Sequence, residues 1–88
     1  MAWKIEVTRT AEKQIAKLDK PVQRRILRFL NERIAPAKDP RQLGKALVGE
    51  KAQLWRYRVG DYRLICDIQG KLVLVIVLDV GHRKEIYR

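Results

Sequence analysis

The stretch that most constrains the fold is Leu54-Trp55-Arg56-Tyr57-Arg58-Val59-Gly60-Asp61-Tyr62-Arg63-Leu64-Ile65-Cys66. Two runs of aromatic, β-branched and alternating residues flank Gly60-Asp61, and glycine at the first central position suits a type II′ turn, so the segment is predicted to form a tight β-hairpin. With a two-residue loop, Val59 pairs with Tyr62, Arg58 with Arg63, Tyr57 with Leu64, Arg56 with Ile65 and Trp55 with Cys66. Side chains alternate faces along a strand. One face therefore collects Trp55, Tyr57, Val59, Tyr62, Leu64 and Cys66 and reads as a core wall, while the other collects Arg56, Arg58 and Arg63. Arg58 and Arg63 stand directly opposite each other, where like charges cost ~0.5 kcal/mol instead of stabilising the pair. Such a face is either an ordinary solvated surface in a basic chain or a place where guanidinium groups converge on a polyanion from a rigid sheet.

The 88 residues support one domain, 1–88, because a second would have no core. Twenty Lys and Arg against ten Asp and Glu give a formal charge of +10, which points to nucleic acid or an acidic protein as partner. The apolar runs are too short to span a bilayer, so no membrane association is expected. Cys66 is the single cysteine. It leaves no internal disulfide or cysteine-based zinc site, and its place on the apolar hairpin face predicts a buried thiol. Trp3 to Thr8 alternates like a strand and not like the apolar heart of a signal peptide, so a cytoplasmic protein is expected.

Along the chain, Trp3, Ile5 and Val7 face inward from a first strand. Thr8 or Thr10 caps a helix whose apolar side carries Ala11, Ile15 and Leu18. Asp19 and Pro21 open a second helix that runs to about Ala35, where Pro36 stops it. Its stripe of Val22, Ile26, Phe29, Leu30 and Ile34 reads as core, and Arg24, Arg25, Arg28 and Arg33 read as a solvated face. Residues 38–53, punctuated by Pro40, Gly44 and Gly49, are expected to be loop with at most a short turn near Leu43 to Leu47. Lys45 and Lys51 in this loop either assist the arginine face in binding RNA or are ordinary solvated lysines. Gln69-Gly70-Lys71 turns the chain into the apolar run Leu72 to Leu78, a strand central in its sheet. The order is β-α-α-β-β-β: a small α+β domain with a helical hairpin on one face of an antiparallel β-sheet.

The tail leaves the core through Gly81 and presents His82, Arg83 and Tyr87, expected beside Arg56, Arg58 and Arg63. This set has no paired carboxylates, no metal-ligand cluster and no cofactor motif. It suits metal-free phosphate chemistry on RNA, whose 2′-hydroxyl is a built-in nucleophile that a protein can align while fixed arginines stabilise the phosphorane. His82, with an ordinary pKa of about 6.5, is the side chain suited to carry protons, or it is a plain turn residue. Tyr87 either orients the hydroxyl or stacks on a base, or it anchors the tail to the sheet.

The hairpin, the apolar strand and the ending Val80-Gly81-His82-Arg83-Lys84-Glu85-Ile86-Tyr87 together resemble the RelE group of the RelE/ParE toxin superfamily. The resemblance covers almost the whole chain. It implies the toxin of a type II toxin–antitoxin pair that cuts mRNA in the A site of the ribosomal 30S subunit, against 16S rRNA. It further implies that Arg63 holds the scissile phosphate, Arg83 assists the leaving 5′-oxygen and Tyr87 orients the 2′-hydroxyl, with Arg56 and Arg58 at positions that can be lysine. Because arginine is a poor general base, that departure raises the standing of His82. A RelB-like antitoxin, acidic in its toxin-binding part, is the implied partner. Two alternatives are a ParE-like inhibitor of DNA gyrase and an RNA-binding protein without catalysis.

Overall fold

The computed structural model describes residues 2–47 and 54–82. The chain opens with strand β1 (Lys4–Val7), followed by helices α1 (Arg9–Ala16) and α2 (Lys20–Phe29). Thr8 caps α1, its hydroxyl accepting from the Ala11 N–H at 3.1 Å. Asp19 occupies the cap position of α2 without a side-chain hydrogen bond, and Pro21 lies in the first turn. Past Phe29 the helix continues through one wider turn, Leu30–Ile34, in which the Ala35 N–H donates to the Leu30 carbonyl. A single 3₁₀ turn (Pro40–Leu43) leads to the two-residue strand β2 (Lys45–Ala46). Then come β3 (Leu54–Val59), β4 (Tyr62–Gln69), a short 3₁₀ turn (Gly70–Leu72) and β5 (Leu74–His82).

The five strands form one sheet in the order β1-β5-β4-β3-β2. The α+β architecture is the expected one, with one difference in pairing: β1 runs parallel to β5, with Lys4 opposite Leu74 and Val7 opposite Val77, so the sheet is mixed. The alternation of Trp3, Ile5 and Val7 fixes which face of a strand is buried but not the direction of its neighbour. The loop around residue 45 also adds a strand to β3, giving five strands where four were expected.

The helical hairpin covers one face. Ala11 and Ile15 from α1, Ile26, Leu30 and Ile34 from the second helix and its extension, and Tyr57, Val59, Leu64, Cys66, Val75, Val77 and Val80 from the sheet form a single core. Trp3, Ile5, Val7, Val22, Phe29 and Trp55 close its margins. The Phe29 ring meets Tyr57 edge to face, with centroids 5.7 Å apart. The stripe read from the second helix is therefore core, as its spacing requires. Among the described residues no helix is long and apolar enough to cross a membrane.

One irregularity in the sheet decides how the end of β5 is presented. The pairing between β4 and β5 slips by one residue: Cys66 lies opposite Val77, but Ile65 lies opposite Asp79, leaving Leu78 as the extra residue of a bulge. Three hydrogen bonds from the start of the chain support this point. The Thr8 hydroxyl donates to the Leu78 carbonyl at 3.3 Å. The Gln14 amide donates to Asp79 Oδ1 at 2.6 Å, and its oxygen accepts from the Val80 N–H at 2.7 Å. Beyond Val7, where β1 ends, the Gln14 side chain thus supplies part of the pairing a neighbouring strand would have given.

Candidate RNA-binding cleft

The hairpin adopts the register expected from its turn. Val59 lies opposite Tyr62, Arg58 opposite Arg63, Tyr57 opposite Leu64, Arg56 opposite Ile65 and Trp55 opposite Cys66. Gly60 has φ +60°, a left-handed value that glycine adopts at little cost, as the first central position of this turn demands. Because Tyr57, Val59, Leu64 and Cys66 bury themselves under the helices, Arg56, Arg58 and Arg63 are set on the opposite face.

β2 adds a fourth cation. Lys45 pairs directly with Arg56. The face consequently holds two like-charge pairs opposite each other across neighbouring strands, Lys45 with Arg56 and Arg58 with Arg63. Each pair opposes folding by a few tenths of a kcal/mol. Arg63 is the floor, with only 7% of its surface exposed, whereas Arg58 is exposed. Together with Gln42, Leu43 and Gly44 these side chains line a cleft of about 320 Å³, with no acidic residue among the described residues of its lining. Guanidinium groups offer several donors in a fixed fork and keep their charge, so the cleft is suited to hold the oxygens of a phosphate.

The far wall of the cleft is held by a buried hydrogen bond. The Tyr57 hydroxyl donates to the Pro40 carbonyl at 2.7 Å, tying the 3₁₀ turn to β3. Burial, and the neighbouring Cys66 thiol after it, push the Tyr57 phenol well above its ordinary range, so it remains a donor. Asp39 opens the same turn, accepting from the Arg41 N–H at 3.1 Å. Gly44 lets this wall approach closely: a Cβ there would stand 2.6 Å from the Arg56 carbonyl and 2.8 Å from the Tyr57 ring. Nothing in the sequence signals the place of Gln42 in this lining, and Leu43 and Gly44 register only as a short turn and as loop punctuation.

The structure thus brings four of the predicted site residues together: Arg56, Arg58, Arg63 and Lys45. Lys51, Arg83 and Tyr87 lie outside the described residues. His82 departs from expectation. It stands opposite Tyr62 and meets that ring edge to face at 5.6 Å, while Gly81 is the residue opposite Arg63. Its register face is that of Leu64 and Val80, the helix side, because the bulge at Leu78 reverses the alternation of everything after it. Arg24, Arg25, Arg28 and Arg33 are exposed on the second helix, as expected. Among the described residues no group of three or more His, Cys, Asp or Glu is placed to hold a metal ion.

Residues 5–87 match the family described as ParE toxin of type II toxin–antitoxin system, parDE. The chain belongs to the RelE/ParE superfamily of toxins. Within that superfamily it is similar to Toxin RelG of Mycobacterium tuberculosis, at 31% identity over 88 residues, spanning all of this chain and 99% of the other. The same fold occurs in the toxin–antitoxin complex RelBE2 of M. tuberculosis, at a TM-score of 0.85 and 28% identity over 94% of this chain and all of that one. It also occurs in the archaeal RelE–RelB complex of Pyrococcus horikoshii, at a TM-score of 0.68 and 25% identity over 94% and 97% of the two chains. This superfamily member is accordingly a RelE-family toxin of the type II toxin–antitoxin class.

Proposed function

We propose that this toxin is a metal-independent endoribonuclease that cuts mRNA in the ribosomal A site and so inhibits translation in the cytoplasm. The observation that carries this reading is the arginine and lysine face, with its two opposed like-charge pairs and its buried floor at Arg63. A fold does not gather four cations against their own repulsion for stability. The arrangement serves an anion that neutralises them.

On this reading Arg63 grips a non-bridging oxygen of the scissile phosphate and stabilises the negative phosphorane as the 2′-hydroxyl attacks in line. Preorganised donors of this kind are commonly worth ~3 kcal/mol each in the transition state. Arg56 and Arg58 hold the flanking phosphates, and Lys45 joins them from β2. By resemblance to RelE toxins, Arg83 assists the departing 5′-oxygen and Tyr87 orients the nucleophile. His82 takes no part, since it faces Tyr62 across the sheet. Related toxins crystallised with RelB-type antitoxins support a cognate antitoxin for this chain, which would neutralise the same basic surface.

A second reading is inhibition of DNA gyrase, favoured by the ParE name of the matching family. The two separate cleanly in one experiment. After brief induction in a bacterial host, mRNA 5′ ends are mapped while gyrase supercoiling is assayed in parallel. Cuts inside translated codons that vanish with Arg63→Ala, with gyrase unaffected, support the nuclease. Intact mRNA with inhibited gyrase overturns it.

A further inference from the structure

Arg58 lines two clefts, not one. On the other side of the hairpin edge it joins Arg25, Arg28, Phe29, Glu32, Arg33, Val59 and Gly60 around a hollow of about 440 Å³ between the second helix and the β3–β4 turn. Four of the lining residues are arginines and one is a glutamate. Arg25, Arg28 and Arg33 are exposed on a helix that buries its opposite stripe in the core, so their backbone is held rigidly. Arg25 reaches across to the turn: a Cβ on Gly60 would stand 3.0 Å from its guanidinium. Glycine at position 60 therefore serves the left-handed turn and the approach of this arginine together. Glu32 pairs with Arg28 at 3.7 Å, both about 70% exposed. That is a weak surface pair which a phosphate can replace.

From this geometry we infer that the hollow between the second helix and the hairpin is a second RNA-backbone site, occupied by the strand whose scissile phosphate lies in the first cleft. The inference rests on the nuclease reading. What favours the same strand as occupant is continuity. Arg58 lies on both linings, and among the described residues the pairing of β2 with β3 reaches no further toward the turn than Arg56, so no described strand flanks the Arg58 end of the edge. The two linings meet at Arg58, and Glu32 is the one acidic residue among the described side chains that line them, with the exposed Asp61 beside Gly60 at the turn. The phosphates contacted there are distant from the bond that breaks, so they supply affinity and hold the register of the strand. A charged groove that tracks the backbone without reading bases is a common mode of single-strand binding.

The test uses 2′-O-methyl RNA, which cannot be cleaved, in two lengths: about three nucleotides, enough for the first cleft, and roughly a dozen, within usual single-strand site sizes. Wild type is expected to bind the longer oligomer at least ~10-fold more tightly, with a steep salt dependence. The triple variant Arg25→Ser/Arg28→Ser/Arg33→Ser should keep the affinity for the short oligomer and lose the gain with length. Its salt slope for the long oligomer should fall by about two, as expected for three lost single-strand phosphate contacts. Glu32→Gln should strengthen binding of the long oligomer alone.

A triple variant that keeps the length gain overturns the inference, as does a wild type that shows none. Loss of antitoxin binding with RNA binding unchanged would also overturn it, assigning the hollow to an acidic protein. Failure of the nuclease reading is read separately, as short-oligomer binding that ignores Arg63→Ala. The short oligomer also controls for folding, since a misfolded variant loses both lengths.

Discussion

Arg58 and Arg63 face each other directly across the hairpin, yet one is exposed and the other is 7% exposed. The two arginines should therefore separate stability from function. Arg58→Ala removes a like-charge neighbour at the surface and is expected to leave the unfolding midpoint unchanged or to raise stability by up to ~0.5 kcal/mol. Arg63→Ala removes the floor of the cleft and empties packed space, so the midpoint should fall. On the nuclease reading both should weaken RNA cleavage, Arg63→Ala by about 100-fold or more. Thermal unfolding alongside cleavage of a defined RNA checks the pair. Equal stability losses would mean that their difference in burial carries no energetic weight.

Much of this was legible in the chain. Gly60-Asp61 set every pairing of the hairpin, and the alternation around it assigned Tyr57 and Leu64 to the core and the arginines to the other face. The spacing of Ile26, Leu30 and Ile34 marked a buried helical stripe. What escaped was non-local. Nothing in Trp3 to Val7 tells that β1 will lie parallel to β5, and nothing in Lys45-Ala46 announces a strand two residues long. The bulge at Leu78 is the costliest omission: uninterrupted alternation from Val75 and Val77 would have put His82 on the arginine face, and one extra residue puts it on the other.

That reversal has a kinetic consequence. His82→Gln should leave the pH dependence of RNA cleavage unchanged, because the imidazole faces Tyr62 and not the cleft. A rate profile recorded from roughly pH 5 to 8, across the ordinary histidine range, is the check. A change in the shape of that profile in the variant would return His82 to the reaction.

The bulge itself depends on Gln14. In Gln14→Leu the Val80 N–H loses its acceptor and Asp79 loses its donor. Leaving a part-buried backbone donor unsatisfied costs about 1–3 kcal/mol. The expected result is a destabilised protein whose Val80 amide exchanges faster than those of Val75 and Val77. Exchange rates unchanged at Val80 would show that the bulge holds without its glutamine.

Gly44 tests the wall of the cleft. Gly44→Ala places a methyl group 2.6 Å from the Arg56 carbonyl and 2.8 Å from the Tyr57 ring, so backbone must move. Displacing the turn also strains the hydrogen bond from Tyr57 to Pro40. A loss of about 1–3 kcal/mol is expected from the overpacking, with weaker binding of short RNA. Denaturant titration and binding of the uncleavable three-residue oligomer measure the two effects, and a variant with normal stability would show that the wall yields freely.

The buried thiol makes stability depend on alkaline pH in a defined direction. Burial pushes Cys66 from its ordinary 9.0 up to about 12 in the folded protein. Below pH 9 the thiol is protonated in both states and contributes no slope. Between pH 9 and about 12 the unfolded chain gives up its proton while the native one keeps it. The unfolded state then binds fewer protons, and stability falls as pH rises, by about 1.4 kcal/mol per unit while the difference is complete. Tyr57, also shifted upward, adds a second loss starting near its ordinary 10.0. Cys66→Ala removes the first contribution and leaves the larger part of the second, which burial of Tyr57 supplies. Urea midpoints from roughly pH 8 to 10.5 should therefore decline in both proteins, but later in the variant, while the surface lysines cancel in the comparison. Parallel curves would mean that Cys66 ionises as readily in the folded protein as in the unfolded chain.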